Sequence, residues 1–445
     1  MKDRLIALAA VCLLIPGLLL AQPAVKKTIV GVWEVKTVPA GQSASPFLSL
    51  AMYGSDGSFT TCGGYKALPS IPVVQEVANE LGPGYGRWAA KGNKEFRLTF
   101  YSIMWKEGLA NAYQRVQETL VLSESGDQYT GHAQVDFLDV NWNVVFSTAS
   151  EVKGLRLETH AVPIAQPAEK NRLVGVWEVK VSPVGQSHSP ELSIAMYSAD
   201  GGVVTGDSYN VLPPIPAVQD LANELGAGYG RWVATSDREF RLTFYSVMWK
   251  AGLVTGYRRV QETLDLAESG DECGGHAQVD FLDANWKVVS STISDVISRR
   301  LETFNPTVLA GQAAEKNPMA GVWEIKITKP SGAVRVVPGI YIVGEDSSFL
   351  GDNERRSGRG TVGPGRGRCV PTGKGEFRMK FYAVELNEEG VVWGFLQVQS
   401  NLTLSESGNE YTSPARWDLL DANWKVVFSG TSECKATRLE TPGQD

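Results

Sequence analysis

Polar and apolar residues alternate with a period of two along most of this chain. In the segment 95–105, Phe96, Leu98 and Phe100 fall on one face of an extended backbone, and Arg97, Thr99 and Tyr101 on the other. Runs of this kind predict eight strands in the first third of the chain, at 30–38, 48–53, 58–65, 84–90, 95–105, 113–123, 128–138 and 144–157. Turns such as Gly54-Ser-Asp-Gly57 and Ser125-Gly-Asp127 are short, which makes neighbouring strands antiparallel. One segment breaks the period. Over 71–81 the residues Ile71, Val74, Ala78 and Leu81 form a single helical stripe, with Pro72 suited to a first turn and Gly82 to a C-terminal cap.

The pattern then repeats. Gly31-Val-Trp-Glu-Val-Lys36 returns as Gly175-Val-Trp-Glu-Val-Lys180 and as Gly321-Val-Trp-Glu-Ile-Lys326. The first two copies keep one register, and 83 of the 128 positions from Gly31 to Glu158 are identical to their partners, so each copy carries a full strand set. A unit of this length exceeds the roughly 20–50 residues of solenoid repeats and reads as a domain. Eight meandering strands leave two open edges unless they close. The expected fold is therefore all-β: three tandem antiparallel up-and-down β-barrels, with one short helix in each of repeats 1 and 2. A two-sheet sandwich is the competing arrangement. Repeat 1 covers 22–158, repeat 2 covers 172–302, and the divergent repeat 3, which lacks the helix, covers 318–440. The linkers at 159–171 and 303–317 hold little that could pack, so the repeats are expected to fold separately.

Residues 1–21 read as a signal peptide. Lys2 and Arg4 precede an apolar run to Leu20, broken by Pro16 and ended by the small Ala21. The duplicated unit begins just beyond, since Gln22-Pro-Ala-Val-Lys26 matches Gln166-Pro-Ala-Glu-Lys170. A secreted or periplasmic protein without a transmembrane segment after cleavage is expected. The net charge of −7 supplies no field to gather nucleic acid. Export would permit disulfides, yet Cys62, Cys273, Cys369 and Cys434 have no cysteine counterparts in the other repeats. Cys369 with Cys434 is the one pair within a repeat, and free thiols are the alternative.

The Gly-x-Trp on a first strand, the eight strands and an Arg on the last strand resemble the calycin superfamily, the lipocalins and their relatives. In that superfamily the first-strand Trp packs beside the last-strand Arg. The resemblance implies the pairs Trp33 with Arg156, Trp177 with Arg300, and Trp323 with Arg438. It covers each repeat as architecture and only these short motifs as sequence. The helix between the third and fourth strands departs from the calycin pattern.

Candidate chemistry is sparse. His132 and Asp136 share a strand face that reads as solvated, not as a metal site. Asp139-x-Asn141-x-Asn143 suits a hairpin turn better than a calcium loop, because the loop glycine and terminal glutamate are missing. Trp142, Trp286 and Trp424 in these turns are read as caps over a barrel end, or else as exposed binding aromatics. The Gly84-x-Gly86-Arg87 motif and its copies read as a bulge or tight corner. Arg355, Arg356, Arg359, Arg366 and Arg368 form either an anion site or, on the preferred reading, a solvated loop. Glu118 and Glu262 stand between apolar residues on their own strand face, either as buried carboxylates in the lumen or as exposed ones.

No constellation points to catalysis, a metal or a cofactor. The first reading is an exported binding protein for a small apolar or amphipathic ligand. Its candidate lining is Trp33, Phe100, Met104 and Glu118 in repeat 1, and Trp177, Phe244, Met248 and Glu262 in repeat 2. The alternative is a structural or adhesive envelope protein with filled barrels and multivalent surface contacts.

Overall fold

The computed structural model describes residues 28–40, 46–63, 71–107, 109–157, 172–184, 191–206, 212, 215–251, 253–301, 317–328, 336–352, 356–357, 360–387 and 392–441. The expected leader at 1–21, the linkers at 159–171 and 303–316, and Arg355 and Arg359 lie outside the described residues.

Barrel 1 contains β1 (Gly31–Pro39), β2 (Phe47–Tyr53), β3 (Ser58–Gly63), α1 (Pro72–Val77), β4 (Glu80–Ala90), β5 (Glu95–Lys106), β6 (Leu109–Leu122), β7 (Gln128–Asp139) and β8 (Val144–Arg156). Each strand pairs antiparallel with the next, and β8 returns to β1 with Arg156 opposite Trp33, which closes the sheet. Barrel 2 repeats the plan with β9 (Gly175–Pro183), β10 (Glu191–Tyr197), β11 (Gly202–Gly206), α2 (Pro216–Leu221), β12 (Glu224–Ala234), β13 (Glu239–Lys250), β14 (Leu253–Leu266), β15 (Glu272–Asp283) and β16 (Val288–Arg300). Barrel 3 closes through β17 (Gly321–Thr328), β18 (Val336–Val343), β19 (Ser348–Asp352), β22 (Gly365–Gly373), β23 (Glu376–Leu386), β24 (Val392–Leu404), β25 (Glu410–Asp421) and β26 (Val426–Leu439). In place of a helix it carries the small hairpin β20 (Arg356–Ser357) and β21 (Gly360–Val362), laid against β23.

The helix is shorter than the stripe over 71–81 predicts. After Val77 the Asn79 N–H donates to the Trp105 carbonyl, which draws Glu80 and Leu81 into β4 as partners of Trp105 and Met104. Gly82 is no helix cap. It lets the Trp105 ring approach the backbone, since a Cβ there would stand 2.3 Å from that ring.

The expectation of separately folding repeats meets a shared core. One continuous buried cluster draws from all three barrels: Val32, Tyr101 and Trp105 from the first, Val176, Tyr245 and Trp249 from the second, Val322, Tyr382 and Phe395 from the third. The reason is visible along β5. Arg97 is exposed while Phe96 and Leu98 are buried, but from Tyr101 to Trp105 every residue is buried. Phe96, Leu98 and Met104 belong to barrel 1's own cluster, whereas Tyr101, Ile103 and Trp105 belong to the shared one. A strand apolar on both faces is packed on both faces.

The seams follow a cyclic, pseudo-threefold order. At the β2–β3 turns the Ser55 N–H donates to Asp200 (2.9 Å), the Ala199 N–H to Asp346 (3.0 Å) and the Glu345 N–H to Asp56 (3.0 Å). The arginine of each Gly-x-Gly-Arg motif (Arg87, Arg231 and Arg368) donates to the carbonyl of its own turn's aspartate. Arg366 is fully buried, and donates to the Pro364 carbonyl and, across the seam, to that of Thr205. Of the arginine cluster in repeat 3, these two are therefore internal braces, neither an anion site nor a solvated loop.

The three turn tryptophans are not caps over a barrel end. Trp142, Trp286 and Trp424 hold φ values of 68, 65 and 64° and fold back along the outside of their barrels, where they pack on the shared core. Trp142 stacks on Tyr113 (4.4 Å), Trp286 on Tyr257 (4.2 Å) and Trp424 on Phe395 (4.3 Å). Two of the pairs address a buried glutamate of the neighbouring barrel. Trp286 Nε1 donates to Glu34 (2.7 Å) and Tyr113 Oη to Glu324 (3.1 Å). Cys369 and Cys434 are not joined by a disulfide.

Candidate functional site

The lumen of barrel 1 is built from the closed end upward. Trp33, wholly buried, donates its Nε1–H to the Ile29 carbonyl (2.8 Å). The Arg156 guanidinium lies over the ring at 4.2 Å and donates to the carbonyls of Val30, Thr28 and Gly126. Gly31 makes room for this. Its φ is +142°, and a Cβ would stand 2.6 Å from an Arg156 nitrogen. The same stack forms between Arg300 and Trp177 (4.3 Å) and between Arg438 and Trp323 (4.2 Å). On the inner side Tyr129 and Tyr53 pack against Trp33 at 4.8 and 6.4 Å, and their hydroxyls meet at 3.2 Å. Burial pushes both phenols well above their usual pKa, so they stay neutral hydrogen-bonding groups.

Above this floor is a cavity of about 140 Å³. Along β6 the residues Val116, Glu118 and Leu120 are buried inward while Gln117 faces the other way, which settles the side on which Glu118 stands. The Glu118 carboxyl lines the cavity at 8 % exposure. It has no hydrogen-bond partner among the described residues, and burial pushes its acid up to about 8. Gln114 stands two pleat repeats away on the same face, beyond Val116. The open end is narrowed by Phe47, and by Ile71 and Leu81 on either side of α1. Val74 and Ala78 beneath that helix are fully buried in the barrel's cluster, so α1 is packed down and not merely laid across the mouth.

Of the residues singled out in the sequence, Phe100 and Glu118 line this cavity. Trp33 lies beneath its floor, and Met104 is buried in the cluster that holds α1. In barrel 2, Phe244 and Glu262 line a smaller space of about 50 Å³, while Trp177 and Met248 are packed in the surrounding core. Sequence reasoning missed Tyr53, Tyr129 and Gln114. The signal for Gln114 was available. At offset 144 it becomes Arg258, and Phe47 becomes Glu191. In barrel 2 Arg258 enters the lumen, with its guanidinium 3.9 Å from Glu191, 5.8 Å from the Phe244 ring centre and 3.3 Å from the Ser246 hydroxyl.

Elsewhere the polar clusters are structural. His132 is exposed, and Asp136 is held below the usual carboxylate range, its burial outweighed by hydrogen bonds from Ser147, Arg115 and Gln134. Asp139 accepts from the Asn141 and Asn143 N–H groups, as a hairpin turn requires. Among the described residues no three His, Cys, Asp or Glu side chains are placed to hold a metal, and no helix is long and apolar enough to cross a membrane.

No protein-family model and no curated protein matches this chain. Among solved structures it is similar to a putative outer membrane protein from Bacteroides fragilis, at 10% identity and a TM-score of 0.20, over 61% of this chain and 97% of that one. A DUF3598 protein of unknown function from Nostoc punctiforme gives 9% identity and a TM-score of 0.17, over 61% and 96%. A bacterial polysaccharide outer membrane secretin gives 4% and 0.19, over 92% and 98%. Likenesses at these scores assign neither family nor function.

Proposed function

We propose that this is an exported tandem-barrel binding protein, and that barrel 1 is its binding module for a small apolar or amphipathic molecule. The observation that carries the reading is the cavity of about 140 Å³ closed by aromatic residues and holding one carboxyl with no hydrogen-bond partner among the described residues. A hollow of that size in a barrel otherwise packed to its core costs stability unless it serves a ligand. The leader at 1–21 supports export, and the three Trp–Arg stacks support a calycin-type kinship. The packed helix α1 serves as a fixed wall of the site. Barrels 2 and 3 then serve as scaffold, which keeps part of the structural reading: the lumen of barrel 2 is filled from within by Arg258.

The test is a titration of the full chain with an apolar fluorescent probe, beside the variant Ala133→Phe, which fills the cavity. One probe per chain, lost in the variant, is the expected result. Binding that survives in Ala133→Phe, or no binding at all, would remove barrel 1 as the module.

A further inference from the structure

The three lumens show a correlation that narrows the ligand. One position on β6 and its equivalents holds Glu118, Glu262 and Ser400, and the position two pleat repeats away on the same face, beyond Val116, holds Gln114, Arg258 and Leu396. In barrel 2 the carboxylate shares its lumen with a guanidinium from the same strand. In barrel 3 both groups are gone together, replaced by a hydroxyl and an aliphatic chain. Barrel 1 keeps the carboxyl, replaces the cation with a neutral amide, and has the space that Arg258 fills in barrel 2, about 140 against 50 Å³. A buried carboxyl without a partner is unfavourable, and its natural complement is a positive charge.

The geometry points to a small organic cation, an ammonium group on an apolar body of about one ring, as the ligand of barrel 1, with Glu118 as its counter-ion. The inference rests on the reading that barrel 1 binds a ligand at all. The size follows from the cavity, since a dry protein cavity of about 150 Å³ accepts benzene. The ammonium would take the Glu118 carboxylate as its acceptor, with the neutral Gln114 farther along the same lumen. The apolar body would lie against Phe100 and Phe59, whose rings are 5.0 Å apart. Among the described residues no other charge lines the cavity. Besides Glu118 on β6 the titratable lining groups are Tyr53 on β2 and Tyr129 on β7, both neutral, and the lining residues from β1, β3, β4, β5 and β8 are uncharged.

The pH dependence has a definite sign. Glu118 in the empty cavity loses its proton near pH 8. A cation binds the ionised form, so affinity should rise about tenfold per pH unit from pH 6 to pH 8, while the amine keeps its proton, and then level off. A neutral ligand accepting a hydrogen bond from the protonated acid would show the opposite trend above pH 8.

The experiment measures binding of benzylamine, benzyl alcohol and benzoate to the full chain by calorimetry from pH 6 to 8.5. At pH 8 benzylamine is expected to bind at least tenfold more tightly than the alcohol, with benzoate not binding. Glu118→Gln should bring the amine down to the alcohol's affinity and leave the alcohol within about threefold. Gln114→Arg, which installs barrel 2's own cation, should abolish amine binding with the near-UV signal of the fold intact. If the alcohol binds as tightly as the amine, or the amine's affinity is flat or falling with pH, the cation is wrong and the binding module stands. If none of the three binds and the apolar probe does not either, both readings fall together.

Discussion

At several positions where the barrels touch, the three copies agree. Val32, Val176 and Val322 fill one seam position, and Tyr101, Tyr245 and Tyr382 another. The axial aspartates Asp56, Asp200 and Asp346 make one ring of bonds from equivalent turns. Inside the barrels the copies disagree. Between barrels 1 and 2, which share 83 of 128 positions, the changes include Phe47 to Glu191, Phe59 to Val203, Gln114 to Arg258 and Tyr129 to Cys273, all on or beside the lumen. The contrast has a physical basis. A seam residue must fit two barrels at once, so altering one copy strains a neighbour. A lumen residue answers only to its own barrel and to whatever enters it. Duplication has left one copy hollow and one stapled shut while the assembly that holds them stays the same.

The largest effect should come from breaking the assembly. Residues 172–302 expressed alone would expose Val176, Ile194, Met196, Tyr245, Val247, Trp249 and Tyr257 on their seam faces. At about 1.5–3 kcal/mol for each large side chain, even half of that loss rivals the roughly 5–15 kcal/mol that holds a domain together. The fragment is expected to aggregate, or to lack near-UV circular dichroism and a cooperative melt. A folded monomeric fragment would mean that the seams are incidental and the contrast has another origin. Next comes the closed end, which all three copies share. Trp33→Ala should cost about 3–5 kcal/mol in denaturant unfolding of the full chain. Arg156→Ala should cost less, and the double variant less than the sum, because the two side chains are in contact. Additive effects would contradict the stack.

A smaller effect separates the lumens. The Glu118 acid is raised from 4.5 to about 8 by burial alone, so the folded state holds a proton that the unfolded chain releases. Stability from this group is therefore present below pH 4.5 and is lost as pH rises through 8. Glu118→Gln should be nearly neutral at pH 4.5 and stabilise the empty chain by on the order of 2–4 kcal/mol at pH 9, at about 1.4 kcal/mol for each tenfold change in proton affinity. The matching Glu262→Gln, made where Arg258 shares the lumen, should lack this gain. Equal responses in urea melts at pH 9 would show the two lumens to be electrostatically alike.

The strands and their order were legible because alternation and short turns leave little choice: β5 and β8 begin at the predicted residues, and six of the eight strands in repeat 1 begin within one residue of prediction. The Trp33–Arg156 pair was legible from the resemblance. The seam was not, although its signal was present. Tyr101, Ile103 and Trp105 make the outer face of β5 apolar just where Phe100 and Met104 keep the inner face apolar. A single barrel offers no reason for that second apolar face. The helix boundary was lost to the competing β4 ladder at Glu80. Tyr53 and Tyr129 escaped because two strands that are not neighbours in sequence bring them together, which requires barrel geometry that periodicity cannot supply.

The smallest effect sharpens the comparison within the seam itself. Three tryptophans occupy equivalent turns, yet their partners differ. Trp286 Nε1 donates to the buried Glu34 of barrel 1 at 2.7 Å. Trp424 faces barrel 2 and stacks on Phe395 of its own barrel, which replaces the tyrosine of the other copies, and no hydrogen bond reaches its Nε1 among the described residues. Glu178 there is instead paired by Arg299 of its own barrel at 3.1 Å, and that guanidinium lies 5.6 Å over the Trp424 ring. Arg299 stands where barrel 1 has Leu155, so the loss of a tyrosine hydroxyl on one side of the seam is offset by an arginine on the other. Removing the indole N–H while keeping an aromatic ring should therefore matter at one turn and hardly at the other. Trp286→Phe is expected to cost about 1.5–3 kcal/mol more than Trp424→Phe, the usual range for a hydrogen bond to a buried charge. Arg299→Leu should then destabilise the chain through Glu178, whose charge would be left with only the half-exposed Lys180 at 3.4 Å. Equal costs for the two tryptophans, or a silent Arg299→Leu, would mean that the buried glutamates do not hold the barrels together and that the seam rests on its apolar packing alone.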